Sequence, residues 1–127
     1  MTPHQESPFK GKTGLRRLLN AFGYSLDGLR AAFRHEDAFR QLSLLALLLV
    51  PLALFVVDAT PLARALLVAS SIATLIIELL NSAIEAAVDH TSLERHPLAK
   101  RAKDMGSAAQ LLGLVNLLLV WGLVLFG

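Results

Sequence analysis

Three long apolar runs divide this chain, and no other feature constrains its fold as tightly. They are Leu42 to Val57, Ala65 to Leu80 and Ala108 to Phe126, each 16 to 19 residues long. That length is near the lower limit of about 17 residues for crossing a bilayer's hydrocarbon core as a helix, so flanking residues must complete the first two. A soluble domain carries about a quarter charged residues. Here 17% of 127 are charged, and they stand mostly between the runs. The expected class is an all-α membrane protein with three transmembrane helices, at about 38–57, 63–88 and 106–126, within one membrane-embedded unit over residues 14–127. Cysteine is absent, which removes disulfides, thiolate metal sites and cysteine nucleophiles. No cleavable signal peptide is visible, so the first span is expected to act as its own insertion signal.

Basic residues set an expected orientation. Seven lysines and arginines precede the first span, one (Arg64) lies in the turn between the first two, and four lie before the third. By the positive-inside rule the N-terminus and the Asp89 to Ser107 loop face the cytoplasm, while the C-terminus faces outward.

Residues 1–13, "MTPHQESPFKGKT", mix proline, glycine and polar residues without periodicity and read as a flexible tail. Its "GKT" imitates the end of a phosphate-binding P-loop, but Glu6 stands where that motif needs glycine, and no strand precedes it. From Leu15 the apolar residues Leu18, Leu19, Phe22, Leu26, Leu29 and Phe33 follow helical spacing, with Arg16, Arg17, Asp27, Arg30 and Arg34 on other faces. A basic amphipathic helix over about 15–34 is expected, either lying in the membrane interface or packing on the protein's own spans, with Gly23 and Gly28 as candidate breaks. Pro51 is expected to kink the first span. Asn116 inside the third span reads as an interhelical hydrogen-bonding group, and Trp121 as part of the outer aromatic belt, with lipid contact as its second role.

The second run ends in "ELLNSAIEAAVD", where Glu78, Asn81, Glu85 and Asp89 recur at intervals of 3, 4 and 4 residues. On a helix they form one stripe descending from water into the upper bilayer. Ionisable groups at that depth are costly, and they ordinarily face a bundle interior or wet cavity where they do chemistry. The competing structural reading is that they pair with arginines and lock helices together. Glu36 and Asp37 precede the first span, and Lys103 and Asp104 the third, so carboxylates and a few cations gather at one interface. Such a set suits magnesium held together with an anionic ligand, since magnesium takes oxygen donors and usually one or two carboxylates. The histidine and cysteine ligands that zinc requires are missing, and His35, His90 and His96 are scattered. Glu78, deepest in the stripe, fits a general base acting on a hydroxyl that is itself at membrane depth. These features together describe phosphoryl transfer from a soluble nucleotide to a lipid alcohol.

"ELLNSAIEAAVD", "GYSLDGLRAAFRHEDAFRQ" and "LAKRAKDMGSAA" resemble, in the same order, the three motif blocks of the small prokaryotic diacylglycerol kinase family. The resemblance implies a homotrimer of three-span subunits in the bacterial inner membrane, with active sites shared between neighbours. It implies ATP-dependent phosphorylation of diacylglycerol to phosphatidic acid in phospholipid recycling. Glu78 would be the base, and Asn81 would orient the base or the lipid hydroxyl. Glu36 and Glu85 would hold the metal ions on the ATP phosphates. Arg17, Tyr24, Lys103, Asp104 and the Glu94, Arg95 and His96 loop would contact the nucleotide. Arg17, Arg30, Ala31, Ala32, Phe33, Glu78, Ser107 and Trp121 would line the lipid site. The chain departs from the family at Leu42, where well-known members carry glutamate, and at Asn20, where they carry lysine.

Within the same family an undecaprenol kinase is the nearest alternative; "KDMGSAA" resembles the diacylglycerol branch more closely. Two readings from other classes are a proton-relay transporter working through Glu78 and an assembly subunit whose charges match a partner. A relay would require polar groups through the full bilayer depth. No nucleic-acid partner is expected.

Overall fold

A computed structural model describes residues 14–91 and 96–127. They form four helices: α1 (Leu15–His35), α2 (Asp37–Pro51), α3 (Pro61–Thr91) and α4 (Pro97–Phe126). Among the described residues there is no strand. With a short helical extension of α2, the last three helices are each long and apolar enough to cross a membrane.

Each boundary has a local cause. Gly14 opens α1 with φ 73°, a backbone conformation glycine reaches without a Cβ clash. Gly23 and Gly28 do not interrupt the helix. Glu36, the one residue between α1 and α2, is extended, at φ −118° and ψ 110°, and turns the chain from one into the other. Arg40 fastens this corner: its guanidinium donates to the carbonyls of Phe33 and Arg34 at 2.9 and 2.8 Å and pairs with Asp37. The last carbonyls of α1 therefore find a cationic donor instead of being left unsatisfied.

Pro51 cannot donate to the helical ladder, and the chain answers with a π-helical ending over Leu52–Val56 that closes from Val57 N–H to the Leu52 carbonyl. The expected disturbance at Pro51 is thus a widened last turn. Arg64 reaches back from α3 to this ending and donates to the carbonyls of Ala53, Leu54 and Ala59 at 2.5, 3.1 and 3.1 Å. The lone cation between the first two spans is a cap for backbone groups that lipid could not satisfy.

At 31 residues and about 1.5 Å rise each, α3 is roughly 46 Å long, more than the roughly 30 Å hydrocarbon core. It therefore projects beyond the core, and so does α4. The third-span helix starts at Pro97, well before residue 106, because His96 caps it by accepting the Leu98 N–H at Nδ1 (3.1 Å) and Pro97 fits its first turn. "KRAKDM" is consequently helical rather than loop.

The core is small and unusual. Ala32, Phe39, Ala46, Ala53, Leu67 and Leu117 are its buried apolar residues, accompanied by buried Ser70, Ser71, Thr74, Glu78, Ser82 and Gln110. Leu15, Leu18, Leu19 and Phe22 on α1 are 61–72% exposed, so the spans of the same chain leave that apolar face uncovered. Much of the leucine-rich surface of α2 and α4 is exposed likewise, as a chain surrounded by lipid or its own copies requires.

Candidate active site

The seam between α3 and α4 carries the polar groups. The helices run antiparallel, held in register at three levels: Trp121 Nε1 to Ser71 Oγ (3.3 Å), Gln110 to the Thr74–Glu78 turn, and Lys103 Nζ to Asp89 Oδ1 (2.6 Å). Close approach is possible because α4 presents Gly106 and Gly113 to α3. A Cβ at 106 would stand 2.2 Å from Asn81 Oδ1, and one at 113 would stand 2.7 Å from Ile77 Cδ1.

Glu78 lies inside this seam, 7% exposed. Its described partner is an amide rather than a cation: Gln110 Nε2 donates to Glu78 Oε2 at 2.8 Å and to the Thr74 carbonyl at 3.0 Å. The reading in which the stripe pairs with arginines finds no such pair among the described residues: at the water-facing end Asp89 pairs with a lysine, Lys103, and Glu78 with an amide. Asn81, one turn on, has its Oδ1 buried without a hydrogen-bond partner among the described residues, as does Gln110 Oε1.

Nearer the charged end, the hydrogen bond to Asp89, helped by the nearby charges of Asp89 and Glu85, holds the Lys103 ammonium above its ordinary range. Lys103 stands in the polar first turns of α4 and keeps its charge. Lys100 pairs with Asp104 at 2.6 Å. Glu36 at the α1–α2 corner and Glu85 on α3 are half-buried, and among the described residues neither belongs to an ion pair. No group of three or more metal-ligating side chains converges among the described residues. Magnesium ordinarily takes one or two carboxylates from protein, with phosphate oxygens and water completing its octahedron, and Glu36 and Glu85 are donors of that type.

Arg30, Ala31 and Phe33 line an open groove of about 780 Å³ between the end of α1, Phe39 and Ser43 of α2, and Leu75 of α3, one turn before Glu78. Buried Ala32 fixes this end of α1. Arg17 and Tyr24 lie farther along α1, whose principal packing is against α2. They are exposed, and Ser107 is exposed on α4. The single chain thus brings Glu78, Asn81 and Gln110 together and leaves Arg17 and Tyr24 on a separate surface. His96 is occupied as a helix cap, and Glu94 and Arg95 lie outside the described residues. Trp121 is half-buried with its indole turned to Ser71, an inward role beside the aromatic-belt position expected of it.

Sequence reading missed Gln110 as the partner of Glu78, although a glutamine at the start of an apolar run, heptad-spaced between small residues, was the available signal. It also missed Gly106 and Gly113, where α4 comes close to Asn81 and Ile77 of α3.

The family model of prokaryotic diacylglycerol kinase matches residues 23–125. A diacylglycerol kinase of Pseudomonas aeruginosa is 60% identical over 121 residues, covering 95% of this chain and 98% of that protein. One from Helicobacter pylori is 49% identical over 92% of this chain and 90% of its own length. The Escherichia coli diacylglycerol kinase is 46% identical over 90% of this chain and 93% of its own.

Proposed function

The chain belongs to the prokaryotic diacylglycerol kinase family, and from that premise we propose that it phosphorylates diacylglycerol to phosphatidic acid with MgATP, at the cytoplasmic face of a bacterial inner membrane. The observation that carries this reading is a buried carboxylate, Glu78, sitting in a membrane-depth seam with an amide instead of a cation as its partner. An unpaired carboxylate there is available to take a proton.

Glu78 accepts the proton of the lipid's hydroxyl as that oxygen attacks the γ-phosphorus. A new O–P bond forms, the bond between the γ-phosphorus and the β–γ bridging oxygen breaks, and ADP leaves with the bonding electrons. Asn81 orients the hydroxyl or the base from the adjacent turn. Lys103 places a persistent positive charge toward the phosphates, and Arg17, Tyr24 and Asp104, with the 94–96 segment, contact the nucleotide. Glu36 and Glu85 would hold magnesium, which supplies charge neutralisation on the phosphates when bound. The groove beside Arg30, Ala31 and Phe33 accommodates the lipid, with Ser107 and Trp121 as further contacts.

Arg17 and Tyr24 stand apart from Glu78 in one chain, which supports a site completed by a neighbouring copy, as in the homotrimer that the resemblance implies. A proton relay finds less support. Beyond Glu78 the buried hydroxyls of Ser70, Ser71 and Thr74 donate to carbonyls of their own helix, and none of them is titratable in the accessible range.

The test is a kinase assay on purified protein in mixed micelles, with diacylglycerol or undecaprenol as acceptor and magnesium omitted as control. Diacylglycerol-dependent, magnesium-dependent ADP release is expected, and Glu78→Gln should reduce it by about a hundredfold or more. Faster phosphorylation of undecaprenol would reassign the acceptor; full activity of Glu78→Gln would remove the base.

A further inference from the structure

We infer that Gln110 is a positioning residue for the transfer reaction: its side-chain amide holds one oxygen of Glu78 and thereby presents the other to the acceptor hydroxyl. The inference rests on the reading of Glu78 as the base. Both hydrogens of the Gln110 amide are committed. One goes to the Thr74 carbonyl at 3.0 Å, which anchors the amide to the α3 backbone one turn before Glu78; the other goes to Glu78 Oε2 at 2.8 Å. The first bond sets the direction of the second. Among the described residues none holds Oε1, so a carboxylate with three freely rotating bonds is left with one tethered oxygen and one available oxygen.

Stability alone does not account for an amide here. Gln110 is 9% exposed, and its own Oε1 is buried with no hydrogen-bond partner among the described residues. Leaving a buried acceptor unsatisfied is costly, whereas an apolar side chain of similar volume at 110 would leave no orphaned oxygen of its own. Gly113 shapes the same pocket from the next turns of α4: a Cβ there would stand 2.9 Å from that Oε1. The bond to Glu78 gives the buried amide a use beyond holding α3 and α4 in register. A small displacement of a reacting group lowers the rate far more than it lowers binding.

Gln110→Met keeps the volume and removes the donor, and Gln110→Asn keeps an amide but withdraws it from Oε2. Both would be assayed as purified full-length protein beside Glu78→Gln, with melting temperature recorded for each. The expected result is a fall in kcat of about ten- to a hundredfold in both variants, KM for MgATP and for diacylglycerol within about twofold of the parent, and a loss of melting temperature in Gln110→Met small enough that the protein stays folded at the assay temperature. A purely structural role would move the melting temperature and leave kcat per folded molecule alone. If kcat in both variants stays within twofold of the parent while Glu78→Gln is inactive, the positioning role is wrong and the base stands. A rise in KM for the lipid at unchanged kcat overturns it too, by making Gln110 a binding contact. If Glu78→Gln remains active, both readings fall together.

Discussion

At the level of single residues, the seam turns one chemical type into several roles by changing its neighbours. Asp89 and Glu78 lie on one stripe of α3, yet Asp89 pairs with Lys103 at 2.6 Å while Glu78 is enclosed with an amide. A paired, half-exposed carboxylate contributes modestly to holding helices together. An enclosed one without a cation is expensive and suits proton transfer. Glu85 lies between them, half-buried and outside any ion pair among the described residues. Its proposed part is to bind metal, so Glu85→Gln is expected to raise the KM for MgATP by about ten- to a hundredfold, the loss of a charge-assisted contact, with kcat changed less. Initial-rate kinetics at varied MgATP check this, and an unchanged KM would take Glu85 out of the metal site. Gly106 tests the packing under the same stripe. Its Cβ would meet Asn81 Oδ1 at 2.2 Å, so Gly106→Ala must push Asn81 or the helix aside, at about 1–3 kcal/mol, and should lower the melting temperature by several degrees. Asn81→Ala in the same background should restore part of that loss, because it removes the atom that clashes.

At the level of elements, stability depends on how helix ends are finished, because lipid offers no hydrogen bonds to stray backbone groups. Arg64 illustrates this on the turn between α2 and α3. Its three bonds to the carbonyls of Ala53, Leu54 and Ala59 close the π-helical ending that Pro51 makes necessary. Arg64→Ala is expected to cost about 1.5–3 kcal/mol in thermal unfolding, and Arg64→Lys to recover only part, since a lysine ammonium cannot fork across the same carbonyls. Equal stability of Arg64→Ala and parent would remove the capping role. The sequence made the three spans and the stripe readable because burial in lipid leaves a long, unbroken apolar signal and a helical repeat exposes every charge that interrupts it. The finish of the elements was harder to read. Nothing local to "VPLALFVVDATPLAR" says that an arginine will fold back eleven residues to Ala53, and the helical character of "PLAKRAKDM" depends on a histidine acting as cap. Gln110 was obscured for a related reason: periodicity places it on a face, but only the α3–α4 register brings that face to Glu78. For α1 the periodicity was decisive, and its two candidate locations can be separated. Leu15, Leu18, Leu19 and Phe22 are uncovered by the chain's own spans, so a tryptophan at Phe22, in a Trp121→Phe background, should be quenched by brominated acyl chains in vesicles. Absence of quenching would place that face against protein.

For the whole molecule, the distribution of polar groups argues for more than one copy. Inside a single chain the α3–α4 seam absorbs the hydroxyls, Glu78 and Gln110, whereas Asn116, in the middle of the third apolar run, is exposed. Its amide has no hydrogen-bond partner among the described residues, and facing acyl chains would leave its donors and acceptor unmatched. The α4 face carrying it also presents exposed Leu112 and Leu119, an apolar surface with one amide near its centre. A second copy would satisfy the amide and cover the leucines, in the way polar groups join helices in bilayers. In the proposed site, Arg17 and Tyr24 would come from such a neighbouring copy. On the proposed reading, oligomer strength and activity would be linked. Asn116→Leu keeps the span hydrophobic and is expected to lower the temperature at which the oligomer dissociates in detergent. Each interhelical bond lost is worth only about 0.6–2 kcal/mol, but it is lost in every subunit. Measured by crosslinking and light scattering against temperature, activity should decline together with the oligomer and be regained at higher protein-to-detergent ratio. Dissociation at the parent's temperature would mean that Asn116 meets lipid. Activity persisting in dissociated chains would mean that one subunit holds a complete site.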